Sequence, residues 1–558
     1  MGEQVDAVVI GAGHNGLVAG CLLADAGWDV VVCEATDVAG GAVRSSREVH
    51  TDYVSDIFSA FYPLGAGSPA IKALDLGRHG LTWSHPEKVL AHIFPDDRSA
   101  VLSRDVDVTA ASLDTFAKGD GDAWRRLAEQ WNAISPGVLQ ALFTPFPPIR
   151  AGAKLVRSTP TGDLLRLVRM GLSTVRRFGE EQFDGDGGPI LLAGNAMHSD
   201  VSTEGAGSAV YGWLLCMLGQ SVGYPVPVGG AAALIDALVR RLESAGGQLR
   251  LSEPVERVLS SSGHATGVRL ASGRTITARR AVLADVTAPI LFDRLVGRDR
   301  LPARFNDDMD NFEWDTSTLK IDWAVNGRIP WTAPGAHGAG TVHLGVDMDG
   351  LTRYTGDLAT RTVPENPFVL FGQMTTSDPT RSPAGTESAW AYTHLPRGLA
   401  VSADVVRAHV ERVEALVEKH APGFRDLVVG RLVQSPLDIE HRDPALVGGS
   451  VSGGTSQLHQ QLVFRPVPGL GGADTPMPRL YLAGSSAHPG GGVHGAPGAN
   501  AAITALRNAG VKGAVRRRVV KSAMKRIYAP HTTALTAGSA ARRLDPAATD
   551  VVDTEPSE

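Results

Sequence analysis

The chain has 558 residues, 43% hydrophobic and 20% charged, the composition of a globular protein able to bury a large core. Its net charge of −6 argues against a nucleic-acid partner, and its length suits about three or four average domains or two large interleaved ones. Three cysteines, Cys21, Cys33 and Cys216, show no CxxC or similar spacing, which speaks against a disulfide framework, a zinc site or a redox dithiol and for small buried hydrophobes.

In chain order, Val5 to Ile10 is a β-branched run that predicts a strand, followed by "GAGHNG". Leu17, Val18, Cys21 and Leu22 then recur at helical spacing up to Gly27, a natural helix stop. "WDVVVCEA" predicts a second strand ending at Glu34. Strand, glycine turn, helix, strand and acid form the dinucleotide-binding unit. Gly11 permits the tight turn, Gly13 lets a pyrophosphate approach the backbone, and Gly16 lets the helix pack on the sheet. Ala12, His14 and Asn15 complete the turn, whose N–H groups and helix dipole face the phosphates, and Glu34 would take the adenosine ribose. At this point the dinucleotide is FAD or NAD(P). Gly40, Gly41 and Ala42 in "DVAGGAVRSS" follow closely enough to stay at the same nucleotide, with Arg44 within reach of its phosphates.

Residues 53–224 are mixed, with "TPFPPIR" breaking helical stretches such as "DAWRRLAEQWNAI" and "GDLLRLVRMGL". From Gly223 the pattern turns regular: a glycine turn, a helix with Leu234, Ala237, Leu238 and Leu242 on its apolar face, a strand, a hairpin, and a further strand in "RRAVLAD". "TSTLKIDWAVNG" predicts another strand and "VVRAHVERVEALVEKHAPGF" a helix. "RLYLAGSSAHPGGGVHGAPGANAAITAL" closes the pattern as strand, dense glycine turn and alanine-rich helix.

The motifs "GAGHNGLVA", Gly40–Gly41, "LDLGRHGL", "YPVPVGG", "FRPVPG" and "LYLAGSSAHPGGGVHGAPG" together resemble the FAD-dependent phytoene desaturase and carotenoid ketolase family, which also holds pyridine nucleotide-disulfide oxidoreductase domain-containing protein 2-like members. The resemblance runs through most of residues 1–510. It implies FAD, with Gly484, Ser485, Gly492, Val493 and His494 bordering the isoalloxazine and ribityl chain, and the main chain of Val255 holding the adenine. Backbone donors aimed at the pyrimidine side of a flavin stabilise the reduced ring. Two departures are visible: His459 and Gln460 precede Arg465–Pro466 where relatives usually carry an acid and Gln, and Ala499 stands where Arg is common.

The expected fold class is α/β: a Rossmann-like FAD-binding domain of the glutathione reductase/amine oxidase type, with an interleaved mixed α+β substrate domain. The first would be assembled from residues 1–90, 225–290 and 445–510, and the second from 91–224 and 291–444. The chain shows no hydrolase triad order, metal-binding motif, P-loop or second fingerprint, so the flavin is the evident reagent. The expectation is a dehydrogenase that desaturates or oxidises an apolar, carotenoid-like substrate, with oxygen or a quinone as candidate electron acceptors. Beyond the flavin, His494 and His198 are the side chains that could touch the chemistry. An amine or amino-acid oxidase is the alternative, although Val493 replaces the aromatic residue that would cage an ammonium. A redox-idle flavoprotein with an interaction role is a third reading.

No basic, apolar leader precedes Val5 and no run of about 18 apolar residues occurs, so the expected location is cytoplasmic. Residues 511–558 read as a basic helix and a disordered tail. Lys512, Arg516, Arg517, Arg518, Lys521, Lys525 and Arg526 interleave with Val515, Val519, Met524 and Ile527, a pattern suited to peripheral contact with an anionic inner membrane face or to plain solvation.

Overall fold

The computed structural model describes residues 3–148, 152–153, 156–157, 159–399, 401–510 and 513–530; Lys512 and the tail beyond Pro530 lie outside them. In chain order, β1 (Glu3–Ile10), α1 (His14–Asp25) and β2 (Val30–Cys33) form the opening unit. Then come β3 (Lys88–Ile93), β4 (Ser99–Leu102) and the helices α2 (Asp120–Phe143), α3 (Thr161–Leu172), α4 (Gly187–Ala196), α5 (Ser208–Ser221) and α6 (Ala232–Ser244). Next are β5 (Gln248–Arg250), β6 (Val255–Ser261), β7 (His264–Leu270) and β8 (Thr275–Ala284), and after them β9 (Ser317–Val325), β10 (Ala339–Leu344), β11 (Val369–Gln373) and β12 (Glu387–Leu395). The chain continues through α7 (Ala403–His420), β13 (Val428–Gln434), β14 (Leu480–Leu482), α8 (Ala496–Ala509) and α9 (Gly513–Ile527).

One seven-stranded sheet runs β6-β7-β8-β1-β2-β5, with β14 paired to the C-terminal half of β8. β1 pairs in parallel with both β2 and β8, so its two faces are both buried. Ala7 and Val9 enter the core that contains α1, α6 and α8, while Val5, Val8 and Ile10 enter the core on the opposite side. This is why β1 reads as a continuous apolar run rather than an alternation.

The second seven-stranded sheet runs β13-β9-β12-β11-β10-β3-β4, antiparallel except for β10 against β3. Leu319, Ile321, Trp323, Val342, Phe371, Ala389 and Ala391 pack one apolar face. On the opposite face Leu90, Leu370 and Trp390 pack against the helical layer of α2, α4 and α5. The expected division at residue 90 falls inside β3, which belongs wholly to the second sheet.

The basic helix α9 exposes Val515 and Val519, yet it is tied down. Arg516 pairs with Asp474 and Arg517 donates to the Asn508 carbonyl, while Met524 packs against a buried core. Just past its end, the hydroxyl of the buried Tyr528 donates to Pro468 O at 2.8 Å. Among the described residues, no helix is long and apolar enough to cross a membrane.

Candidate cofactor and substrate site

The glycine turn is shaped by a residue far away in sequence. Asp285 follows β8, and a Cβ on Gly11 would lie 2.6 Å from its carbonyl oxygen, one on Gly13 2.7 Å from its Oδ2. A Cβ on Gly16 would collide with Gly11 O, so β1 and α1 can approach only through glycine. Gly16 N donates to Asp285 Oδ2 at 2.7 Å, placing the carboxyl on the N-terminus of α1. Burial, reinforced by Asp443 and Glu34, raises that carboxyl to about 7.

Glu34 is already engaged by its own chain. Its Oε2 accepts from Ala12 N at 2.8 Å, and its Oε1 from Thr36 N and Oγ1 at 3.0 and 2.9 Å. With about four lone-pair sites on a carboxylate, roughly one stays open to a ribose hydroxyl. Gly40 N donates to Ala12 O at 2.9 Å, which lays the second glycine pair on the first turn, and Ala42 O accepts from Ser59 Oγ at 2.7 Å. Arg44 borders the cavity but spends Nε on Gly41 O and Nη2 on Arg442 O, at 2.9 and 2.6 Å, and lies over the Phe58 ring. Val255 opens β6 beside Pro254 at the Glu34 end of the cavity. His14 Nε2 and Asn15 Oδ1 are buried without partners among the described residues. A cradle that shows both donors and acceptors fits a dinucleotide, whose hydroxyls and phosphates supply both.

The C-terminal turn meets this cradle from the other end of the chain. A side chain at Gly498 would run into Asn15 O, so α8 packs directly on the start of α1. Ser485, Gly492, Val493 and His494 border the cavity. Gly484 is instead a crossing point: a Cβ there would sit 2.6 Å from Val286 O. Ala499 is buried in α8 within the core shared with α1. The His494 side chain is engaged by its own turn. Its Nδ1 accepts from Ala496 N at 3.2 Å and its Nε2 faces Gly491 O at 3.3 Å, so both ring nitrogens are spent on shaping the turn. Burial holds it neutral, lowered to about 3. Its carbonyl accepts from Ser68 Oγ at 2.6 Å.

Two buried charges brace the turn. Arg465, fully buried, donates to the carbonyls of Thr455, Ser452 and Ser485 at 2.9, 2.9 and 2.8 Å. Asp315 accepts from Val451 N, Ser452 N and Gly454 N at 2.7, 2.9 and 3.1 Å. The residues that depart from the family pattern are accounted for locally: His459 pairs with the Glu313 carboxylate, and Gln460 bonds both the N–H and the carbonyl of Glu313.

A single cavity of about 670 Å³ joins these groups to the second sheet. Its far wall carries Thr318 and Lys320 of β9, Thr341 of β10, and Trp390 and Tyr392 of β12, with His198 and Tyr224 from the helical layer. Register explains the selection, since Lys320 pairs with Tyr392 and both point away from the Leu319–Ile321 face. Lys320 is buried, donates to Asp56 O at 2.9 Å, pairs with Asp322, and sits 5.8 Å over the Trp390 ring. His198 Nε2 lies 2.8 Å from His343 Nε2, and burial lowers His198 to about 4.

Sequence reading singled out none of Asp285, Asp443, Lys320 and Tyr392. Asp285 had a visible signal, a carboxylate closing an apolar strand. Lys320 and Tyr392 had none, because alternation along a strand does not say which face meets a cavity.

The fold and site together define a two-domain α/β protein of the amine oxidase type. The sequence profile described as "Flavin containing amine oxidoreductase" matches residues 16–333, more than half of the chain, and the chain belongs to that family. It is 28% identical to pyridine nucleotide-disulfide oxidoreductase domain-containing protein 2 of Rattus norvegicus, over 90% of this chain and 94% of the relative. It is 24% identical to the neurosporene-forming phytoene desaturase of Rhodobacter capsulatus, over 87% and 91%. Among solved structures, putrescine oxidase bound to putrescine matches with a TM-score of 0.58 at 16% identity, covering 91% of this chain and 99% of the other, a likeness of fold.

Proposed function

We propose that this protein is an FAD-dependent oxidoreductase that removes hydrogen from an apolar, isoprenoid-like substrate. The observation that carries the reading is the continuity of one cavity from the Gly11–Gly16 cradle past Val493 to a wall of Phe61, Leu64, Leu214, Trp390 and Tyr392. Bound FAD would supply the two-electron oxidant that no side chain here provides. Residues 11–16, Glu34 and Val255 would hold its adenosine diphosphate part, and Ser485 and 491–494 its ring end. The chain's own work is to orient the substrate along the apolar wall and to exclude water.

The cavity's carboxylates support this reading over an amine. Glu34, Asp285 and Asp443 all cluster at the glycine cradle, whereas the far wall carries the ammonium of Lys320 over its Trp390 ring. A cationic substrate would find no aromatic cage at Val493, and at the far wall it would meet an ammonium already paired with Asp322. Anaerobic mixing of the holoprotein with polyenes or isoprenoids should bleach the flavin band. Bleaching by amines alone would overturn the proposal.

A further inference from the structure

The far wall of the cavity is more polar than a hydrocarbon requires. On the face that β9, β10 and β12 turn away from their apolar core, the residues are Thr318 and Lys320, Thr341 and His343, and Trp390, Tyr392 and His394. Thr318 Oγ1 and Thr341 Oγ1 are buried without partners among the described residues. Tyr392 is half-buried on the cavity wall, and among the described residues its hydroxyl has no hydrogen-bond partner. His198, also half-buried and lining the cavity, has Nε2 against His343 and, among the described residues, no partner at Nδ1. A buried polar group left unsatisfied is destabilising, so such a cluster on one wall calls for an explanation.

Resting on the function proposed above, we infer that the substrate is not a bare hydrocarbon but an apolar chain ending in one neutral oxygen, a hydroxyl or carbonyl, which the wall of His198, Tyr392 and Thr341 receives. The chemistry of the histidine pair suits that ligand. Only one proton can lie between two Nε2 atoms 2.8 Å apart. If His198 donates it, its Nδ1 is a bare acceptor that can take a hydroxyl. If His343 donates it, His198 carries Nδ1–H and offers it to a carbonyl. The Tyr392 hydroxyl serves either way. Both histidines are held neutral by burial, so a carboxylate finds no cation in this pair. Leu142, Phe143, Leu214 and Leu215 give the same cavity an apolar stretch that would house the chain.

The test is binding of geranylgeraniol and of its deoxy hydrocarbon to the holoprotein, read by quenching of tryptophan fluorescence, with flavin content as the check on folding. The alcohol should bind about tenfold or more tightly than the hydrocarbon, because a site built to hydrogen-bond an oxygen discriminates against the analogue that lacks it. Tyr392→Phe and His198→Ala should each erode that preference and together abolish it, leaving hydrocarbon affinity in place; His198→Asn should retain part of it. Equal affinity of the wild type for the two probes overturns the inference and leaves the isoprenoid reading standing. A preference that survives the double substitution also overturns it. If neither probe binds, the isoprenoid reading fails, and the inference with it. Should the variants misfold, the wild-type comparison still decides.

Discussion

The two ends of the cavity are built by opposite means. At the cradle the chain works by subtraction: Gly11, Gly13 and Gly16 withhold side chains so that backbone N–H groups and Asp285 can close in. At the far wall it works by addition, with Lys320, Tyr392, Thr341 and His198 projecting side chains from strands and a short helical turn. A site made of backbone tolerates no bulk, whereas one made of side chains tolerates substitution and can change its ligand. The contrast predicts that mutations at the first end should cost the fold and cofactor together, and those at the second should retune binding.

Gly16→Ala is the sharpest way to test the first half. The new methyl must displace Gly11 O, so we expect purification without flavin absorbance and a stability loss on the order of 3 kcal/mol or more, read by thermal melting. A yellow, normally stable variant would break the comparison.

Acid should strike both ends at once. His14 and His198 are lowered to about 4 and His494 to about 3, each by burial. In this window the unfolded chain binds more protons than the native one, so stability is present above about 6.5 and is lost as pH falls toward 4. Flavin release and melting temperature measured from pH 7 to 4 should fall together.

Asp285 acts with the reverse sign. Its carboxyl is raised to about 7, so the native protein binds the extra proton, and this group's contribution declines as pH rises from about 4 to about 7. Asp285→Asn keeps an acceptor for Gly16 N and removes that charge, so the variant should gain melting temperature relative to wild type at pH 8 more than at pH 5. A pH-independent difference would show that the carboxyl is not proton-linked.

The smallest effect belongs to the far wall. Thr341→Val replaces a buried unpartnered hydroxyl with a methyl of the same shape, and should leave flavin content unchanged and stability equal or up to about 1 kcal/mol higher. A large loss would mean that the hydroxyl is satisfied in the free protein.

What the sequence could disclose followed the same division. The strand, turn and helix around Gly11–Gly16 were legible because glycine spacing, apolar runs and helix stops act over a few residues; α6 likewise buries Leu234, Ala237, Leu238 and Leu242 as its pattern implies. The place of β3, which the residue-90 boundary cuts, was not legible, because it owes that place to pairing with β10, some 250 residues later, which leaves no local trace. The role of the His494 side chain was not legible for a related reason, since whether an imidazole serves a turn or a substrate depends on which atoms surround it.

By itself, the sequence determined the glycine turn between β1 and α1, the order of elements around it and the strand, glycine turn and helix near the C-terminal end, all consequences of local backbone sterics and periodicity. Only the tertiary structure decided that Asp285 closes on the cradle, that α8 lies on α1, and which face of the second sheet lines the cavity. Those choices depend on long-range strand register and close packing, where a shift of one residue would exchange Lys320 and Tyr392 for the apolar face behind them.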